Sequence, residues 1–129
     1  MMKLNTIGTF AMCVLFLASC GGKKTEATDE APPQLSTEQF VAIGKILVDD
    51  SDCKTCHHST NKIIGPSHTD VAKKYEFTDE NIKLLAKRII EGGSGVWGDV
   101  PMTAHPDLSQ EDAERMAMYV LSLDGEKMK

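Results

Sequence analysis

The sequence predicts an all-α domain. Apolar residues recur at helical spacing in three segments, and each segment begins with a serine or threonine that is suited to cap a helix. No segment alternates apolar and polar residues in the way of a half-buried strand. Two loops, residues 50–67 and 94–108, are longer than the connections usual in a compact domain. Loops of this length become reasonable if they surround a bound group.

The first predicted helix runs from about Thr37 to Asp49. Ser36 and Gln39 have the spacing of a capping box in front of it. A second, short helix is predicted from about Asp70 to Tyr75, on weaker signals. The apolar face of the first helix consists of Phe40, Ile43, Gly44 and Leu47.

The third predicted helix follows the cap Thr78 and stops at Gly92-Gly93, because glycine readily ends a helix. Asp79 and Glu80 lie in its first turn, near the positive end of the helix dipole. This pattern is the clearest amphipathic one in the chain. Its apolar face consists of Ile82, Leu85, Ala86, Ile89 and Ile90.

The last predicted helix opens at Ser109 with Asp112 and ends near Gly125. Its apolar face consists of Ala113, Met116, Ala117, Val120 and Leu121. The folded domain is predicted to span residues 36–125, followed by a C-terminal tail at 126–129. A domain of this size buries only about 60–65% of its unfolded surface, so an additional stabilising group is expected.

The N-terminus has the pattern of an export signal, predicted to span residues 1–19. Lys3 precedes an apolar stretch from Ile7 to Ala18, which is too short to cross a membrane. The string Leu17-Ala18-Ser19-Cys20 resembles the bacterial lipoprotein box, so Cys20 is the predicted lipidation site. Ordinary cleavage with an unmodified Cys20 is the alternative.

Residues 20–35 combine the lipidated cysteine with a predicted disordered tether. After Cys20 the composition is rich in Gly, Lys, Thr, Glu and Pro, without apolar periodicity, and it cannot bury enough surface to fold. Several acyl chains on one residue would anchor the protein stably. The sequence therefore predicts an exported, membrane-anchored lipoprotein that faces the periplasm or the cell exterior.

The charge of the chain weighs against nucleic acid as a partner. Acidic residues outnumber basic ones 19 to 14, whereas nucleic-acid binding depends on Lys and Arg contacts to phosphate. The acids are interspersed with lysines, which is typical of a solvated surface. An acidic face that attracts a basic partner is the other interpretation.

The first loop contains the string Cys53-Lys54-Thr55-Cys56-His57, which is typical of c-type haem attachment. Two thiols at this spacing can bond to the two vinyl groups of one haem edge, and His57 then lies where its imidazole reaches the iron. The remaining cysteines, Cys13 and Cys20, belong to the export signal and its end, so a pair of disulfides is not expected. The sequence predicts one covalent haem c.

A Cys-x-x-Cys string also occurs in two other kinds of site. A zinc site needs two further ligands at paired spacing, and the remaining histidines, His58, His68 and His105, form no such pair. A thioredoxin-like site requires strands alternating with helices, and the sequence has no strand pattern. Both alternatives are weaker than haem attachment.

The second loop supplies a candidate for the sixth iron position, Met102, which follows a Gly-rich turn and Pro101. A thioether is a soft, neutral ligand that favours Fe(II) and raises the potential. Met116 and Met118 lie on the last predicted helix and are better explained as core residues. His105 is the nearest rival ligand.

From Phe40 to Leu123 the chain resembles the small class I monohaem cytochromes c of bacteria. The resemblance depends on the following motifs: Cys53-Lys-Thr-Cys-His57, Ile64-Gly65-Pro66, Gly95-Val96-Trp97-Gly98, Pro101-Met102 and Met118-Tyr119-Val120. The chain departs from many small relatives after the ligand, where it has Thr103-Ala104-His105-Pro106 instead of a more proline-rich loop.

This resemblance implies the cytochrome c fold, with about four helices wrapped around one covalent haem. The first and last helices would cross near Gly44 and Tyr119. The Pro66 carbonyl would accept the second ring N–H of His57, and Trp97 would pack at the haem edge with its indole N–H toward a propionate. A buried aromatic side chain with a satisfied donor is an equally compatible function for Trp97.

The sequence thus predicts a single-electron carrier, not an enzyme, that shuttles electrons between redox proteins such as an oxidase or a reductase. The expected partners include the membrane, through the lipid anchor, but no nucleic acid and no small-molecule substrate. The alternative function is a haem c catalyst or gas sensor, in which the sixth site is open or labile.

Overall fold

The computed structural model of this chain describes residues 34–129. These residues form four α-helices, α1 Thr37–Asp50, α2 His68–Lys74, α3 Asp79–Glu91 and α4 Gln110–Leu121, and two short 3-10 helices at Asp52–Thr55 and Ser122–Asp124. No strand occurs in this range, where β-pairing is limited to the isolated bridges His57–Lys62 and Gly93–Met102. The predicted all-α class is confirmed.

The predicted export signal, the predicted lipidation site Cys20 and the part of the predicted tether before residue 34 lie outside the described residues. Within the part that the structure describes, none of the helices is long and apolar enough to cross a membrane.

Each α-helix begins with a hydroxyl side chain that accepts a backbone hydrogen bond from the third residue after it. The four caps are Ser36, Ser67, Thr78 and Ser109, with acceptor distances of 3.3, 3.0, 3.4 and 3.1 Å. Ser36 and Gln39 form the full capping box, since Gln39 Oε1 also accepts from the Ser36 amide at 2.8 Å. At the start of α4 the Asp112 carboxylate instead accepts from Arg115 at 2.9 Å.

Two helix boundaries differ from the prediction for local reasons. Helix α2 begins at His68 rather than near Asp70, because Ser67 caps it. Helix α4 ends at Leu121 rather than near Gly125, since Ser122 Oγ donates to the Tyr119 carbonyl at 2.7 Å and the chain tightens into a 3-10 turn.

Helices α1 and α4 cross at the position of Gly44, as the family resemblance implied. A Cβ atom on Gly44 would lie 1.9 Å from the Arg115 carbonyl oxygen and 3.1 Å from Tyr119 Cβ. Only a residue without a side chain allows the two backbones to approach this closely.

The core lies between α4 and the helices that pack on it. One cluster of buried residues in it consists of Phe77, Ile82, Ala117, Met118 and Leu121, with Phe40, Val41, Tyr75, Leu85 and Met128 packed against this cluster. Met116 and Met118 are both buried, as predicted for core residues. The chain end is held by the same core, since the Lys129 amide donates to the Phe77 carbonyl at 3.0 Å.

Candidate functional site

A cavity of about 510 Å³ lies between the two long loops and the helices behind them. Its volume is in the range of roughly 300–1,000 Å³ that is usual for ligand and cofactor sites. The wall is largely apolar and includes Val48, Ile64, Val71, Leu85, Ile89, Val96 and Val120. All six residues that the sequence predicted for the haem site also line it: Cys53, Cys56, His57, Pro66, Trp97 and Met102.

The attachment string is folded into a tight 3-10 turn. The amides of Cys56 and His57 both donate to the Cys53 carbonyl, at 3.2 and 2.9 Å. This turn brings the side chains of all three residues onto the same wall. Both thiols are free, and Cys53 Sγ accepts a hydrogen bond from Ser51 Oγ at 3.0 Å. Two reactive groups thus lie at one edge of the cavity.

The imidazole of His57 is fixed by its second nitrogen. His57 Nδ1 lies 2.7 Å from the Pro66 carbonyl oxygen. Because a carbonyl can only accept, Nδ1 carries the hydrogen, and in the neutral ring this tautomer has its lone pair on Nε2. Gly65 makes this approach possible, since a Cβ atom there would lie 2.4 Å from His57 Cε1. The arrangement leaves Nε2 available as a metal ligand.

A second imidazole, His68, stacks on His57. Their ring centroids are 5.5 Å apart and the rings are inclined by 22°. The His68 side chain is 8% exposed. Burial, followed by the charges of His57 and His58, lowers the pKa of His68 to about 4. His68 is therefore a neutral aromatic support at neutral pH. The sequence had shown only that it forms no zinc pair, because stacking between residues 11 apart leaves no local pattern.

Met102 is seated on the C-terminal end of α3. Its amide donates to the Gly93 carbonyl at 2.8 Å, and its carbonyl accepts from the Gly93 amide at 3.2 Å. Gly92 has φ 71° and ψ −157°, a conformation that is essentially restricted to glycine. The sequence predicted these two glycines as a helix stop, but their second function as the seat of Met102 was missed.

His105, the rival ligand, has contacts at both ring nitrogens. Nδ1 lies 3.2 Å from the Ile89 carbonyl oxygen, and Nε2 lies 3.1 Å from Asp52 Oδ1. Although His105 also lines the cavity, neither nitrogen is free to bind a metal without losing a hydrogen bond.

Trp97 lies on the cavity wall at its open side, where the side chain is 39% exposed. The Nζ atom of Lys74 lies over the indole, 5.2 Å from its centroid. This is cation–π geometry, and it connects the end of α2 to the loop that carries Met102.

The donor set fits a covalent haem better than the alternatives. Two free thiols, an imidazole with a free nitrogen and a thioether line one apolar cavity. Among residues 34–129 no three His, Cys, Asp or Glu side chains are grouped to hold a metal ion, which argues against a zinc site. The same range has no strands for a thioredoxin-like βαβ unit.

Comparison with known proteins gives the same result. Residues 41–124 match the family model for cytochrome c. The chain is similar to cytochrome c-552 of Nitrosomonas europaea, with 32% identity over 122 residues that cover 95% of this chain and 99% of that protein. It is also similar to cytochrome c-552 of Hydrogenobacter thermophilus, with 39% identity over 77 residues, 60% of this chain and 78% of that one.

A solved structure supports the assignment. The crystal structure of wild-type Nitrosomonas europaea cytochrome c552 is similar to this chain with a TM-score of 0.57 and 37% identity. The similarity covers 61% of this chain and 98% of the other. The chain therefore belongs to the cytochrome c family, which implies one covalently attached haem c.

Proposed function

We propose that this electron-carrying haem c protein uses His57 and Met102 as the two axial ligands of the haem iron and passes single electrons between redox proteins. The observation that carries the proposal is the pair of backbone hydrogen bonds between Gly93 and Met102. It holds the thioether residue on the wall of the cavity that Cys53, Cys56 and His57 also line.

Each residue of the site has a separate task. The thiols of Cys53 and Cys56 form the covalent links. The Pro66 carbonyl holds His57 in the tautomer whose Nε2 can bind iron. The Met102 thioether favours the reduced state. The bound haem supplies an iron that changes between Fe(III) and Fe(II). Because both ligand residues are fixed by backbone contacts, little rearrangement accompanies the change of charge.

The electron is expected to cross at the open side of the cavity. Ile64, Val96, Trp97 and Val100 line the cavity and are also exposed to solvent. The rest of the wall is largely apolar and lowers the local dielectric, which tunes the potential. No pair of acid and base groups is required, since no bond of a substrate is made or broken. The partners we propose are redox proteins such as an oxidase or a reductase.

The location that we propose follows from the N-terminal sequence. Residues 1–19 would be removed as a signal peptide, Cys20 would be lipidated, and residues 20–35 would tether the domain to the membrane. Wild-type protein should then partition with membranes, whereas a Cys20→Ala variant should lose both the lipid mass and the membrane association. An unmodified wild-type protein in the soluble fraction would contradict the anchor.

The ligand assignment is tested by Met102→Ala in the full protein. The variant should lose the ferric thioether charge-transfer absorption, have a lower potential and bind carbon monoxide in the ferrous state. Met118→Leu is the matched control, because Met118 is buried in the core and does not line the cavity. If wild-type protein already binds carbon monoxide readily, a gas sensor or catalyst with a labile sixth site is the better assignment.

A further inference from the structure

We propose that His105 is a positioning residue that holds the Met102 loop against the haem-attachment turn. This inference rests on the proposed ligation by Met102. It concerns what keeps the thioether in place, and not which atom binds the iron.

Residues 102–105 run along the last turn of α3. At one end, Met102 and Gly93 exchange two backbone hydrogen bonds. At the other end, the His105 amide lies 3.2 Å from the Ile89 carbonyl and 3.0 Å from the Ile90 carbonyl. The His105 side chain adds a third contact, since Nδ1 lies 3.2 Å from the Ile89 carbonyl oxygen. The segment is thus attached at both of its ends, to Gly93 just after α3 and to the last turn of α3.

The same ring then reaches across to the other loop. His105 Nε2 lies 3.1 Å from Asp52 Oδ1, and Asp52 directly precedes Cys53 at the start of the attachment turn. Within residues 34–129, this is the only hydrogen bond between the loops at 50–67 and 94–108. His105 therefore connects the turn that carries the thiols to the loop that carries the thioether.

The chemistry of the two contacts explains why a histidine suits this position. The Ile89 carbonyl and the Asp52 carboxylate lie on opposite sides of the ring, and an imidazole has one nitrogen to face each of them. The ring is 22% exposed and the carboxylate 73% exposed. A pair with this exposure contributes little to global stability. It can still shift local opening of a loop, because local opening needs far less free energy than unfolding.

The experiment uses cyanide as a probe on the full-length ferric holoprotein. Cyanide binds iron only after the Met102 thioether has moved away, so its association constant reports the opening of the loop. Asp52→Ala and His105→Ala should each raise this constant about two- to fivefold. The double variant should raise it no further than His105→Ala alone, because the two residues act through one contact.

Two further variants separate this function from general destabilisation. Asp107→Ala removes an exposed acid from the His105 loop without touching the ring, and it should leave the constant unchanged. Asp52→Asn should keep the constant within about twofold of wild type, since its carboxamide can replace the carboxylate as a hydrogen-bond partner of Nε2. If His105→Ala fails to fold, the exposed Asp52 variants still give the comparison.

Suppose that the wild-type protein has the thioether absorption. Additive effects of the two alanine substitutions on the cyanide association constant, or no effect of either, would then overturn the positioning function of His105 and leave the Met102 ligation intact. Absence of that absorption from the wild-type protein would overturn the Met102 ligation and this inference together.

Discussion

Gly92 lies so close to Met102 that a Cβ atom on Gly92 would be 2.5 Å from the Met102 carbonyl oxygen. The end of α3 and the loop that carries Met102 thus meet backbone to backbone. The glycine φ of 71° adds a second restriction, because residues with a side chain rarely adopt it. The position of Met102 therefore depends on the absence of a Cβ atom at residue 92.

Gly92→Ala should therefore weaken the Met102 seat. We expect the free energy of unfolding to fall by about 1–3 kcal/mol from backbone strain alone, with a further loss from the clash. The thioether absorption of the ferric protein should decrease in the same variant. Gly95→Ala is the control, because Gly95 also has a positive φ, 97°, but a Cβ there would meet nothing within 4 Å. Equal spectral loss in both variants would show that the contact with Met102 is unimportant.

Gly44→Ala tests the crossing of α1 and α4. Within a helix this change usually adds roughly 0.5–1 kcal/mol of stability. Here the new Cβ would lie 1.9 Å from a backbone oxygen of Arg115, and backbone cannot yield as a flexible side chain can. We expect a net decrease of about 1–3 kcal/mol in thermal or denaturant unfolding, with an unchanged haem spectrum. A variant more stable than wild type would contradict the close approach.

His68 offers a test of the support behind the proposed proximal ligand. Since burial lowers the pKa of His68 to about 4, the ring is neutral at pH 7 and a neutral aromatic residue should replace it. His68→Phe should cost less than about 1.5 kcal/mol of unfolding free energy. His68→Ala, which leaves a cavity beside His57, should cost about 2–4 kcal/mol. A similar cost for both substitutions would mean that the stacked ring contributes little.

Covalent attachment is tested by mass. The intact protein should include one haem that resists acidic organic extraction, and a Cys53→Ser, Cys56→Ser double variant should lose it. The apoprotein should have weakened helical circular dichroism and no cooperative melting, because a domain of this size buries too little surface by itself. A cooperative transition of the apoprotein that matches the holoprotein would show that the helices suffice.

Local signals predicted most of the fold. Ser36, Thr78 and Ser109 were identified as caps because each interacts with a residue only three positions away. Helix α2 was placed less well. Its start is held by hydrogen bonds from the amides of His68 and Thr69 to carbonyls of residues 58 and 59, in the preceding loop, and such contacts have no local pattern.

Some residues of the candidate site could likewise be predicted from local sequence, and others could not. Cys53, Cys56 and His57 are neighbours in sequence, and their spacing alone indicates the chemistry. The pair of His105 and Asp52 is separated by 53 positions, and it forms only when the fold brings the two loops together. Supporting residues that are distant in sequence can therefore be identified only from the structure, whereas the reactive residues of the attachment string can be identified from the sequence.

Trp97 is the single tryptophan of the chain, and it lies on the cavity wall. An indole beside a haem transfers its excitation energy to the porphyrin, so its ultraviolet emission should be nearly extinguished in the holoprotein. Any movement of residues 94–100 away from the haem would restore the fluorescence of Trp97. The fluorescence of Trp97 is thus an intrinsic reporter of loop opening. Stopped-flow fluorescence could measure the rate of this opening without an added dye.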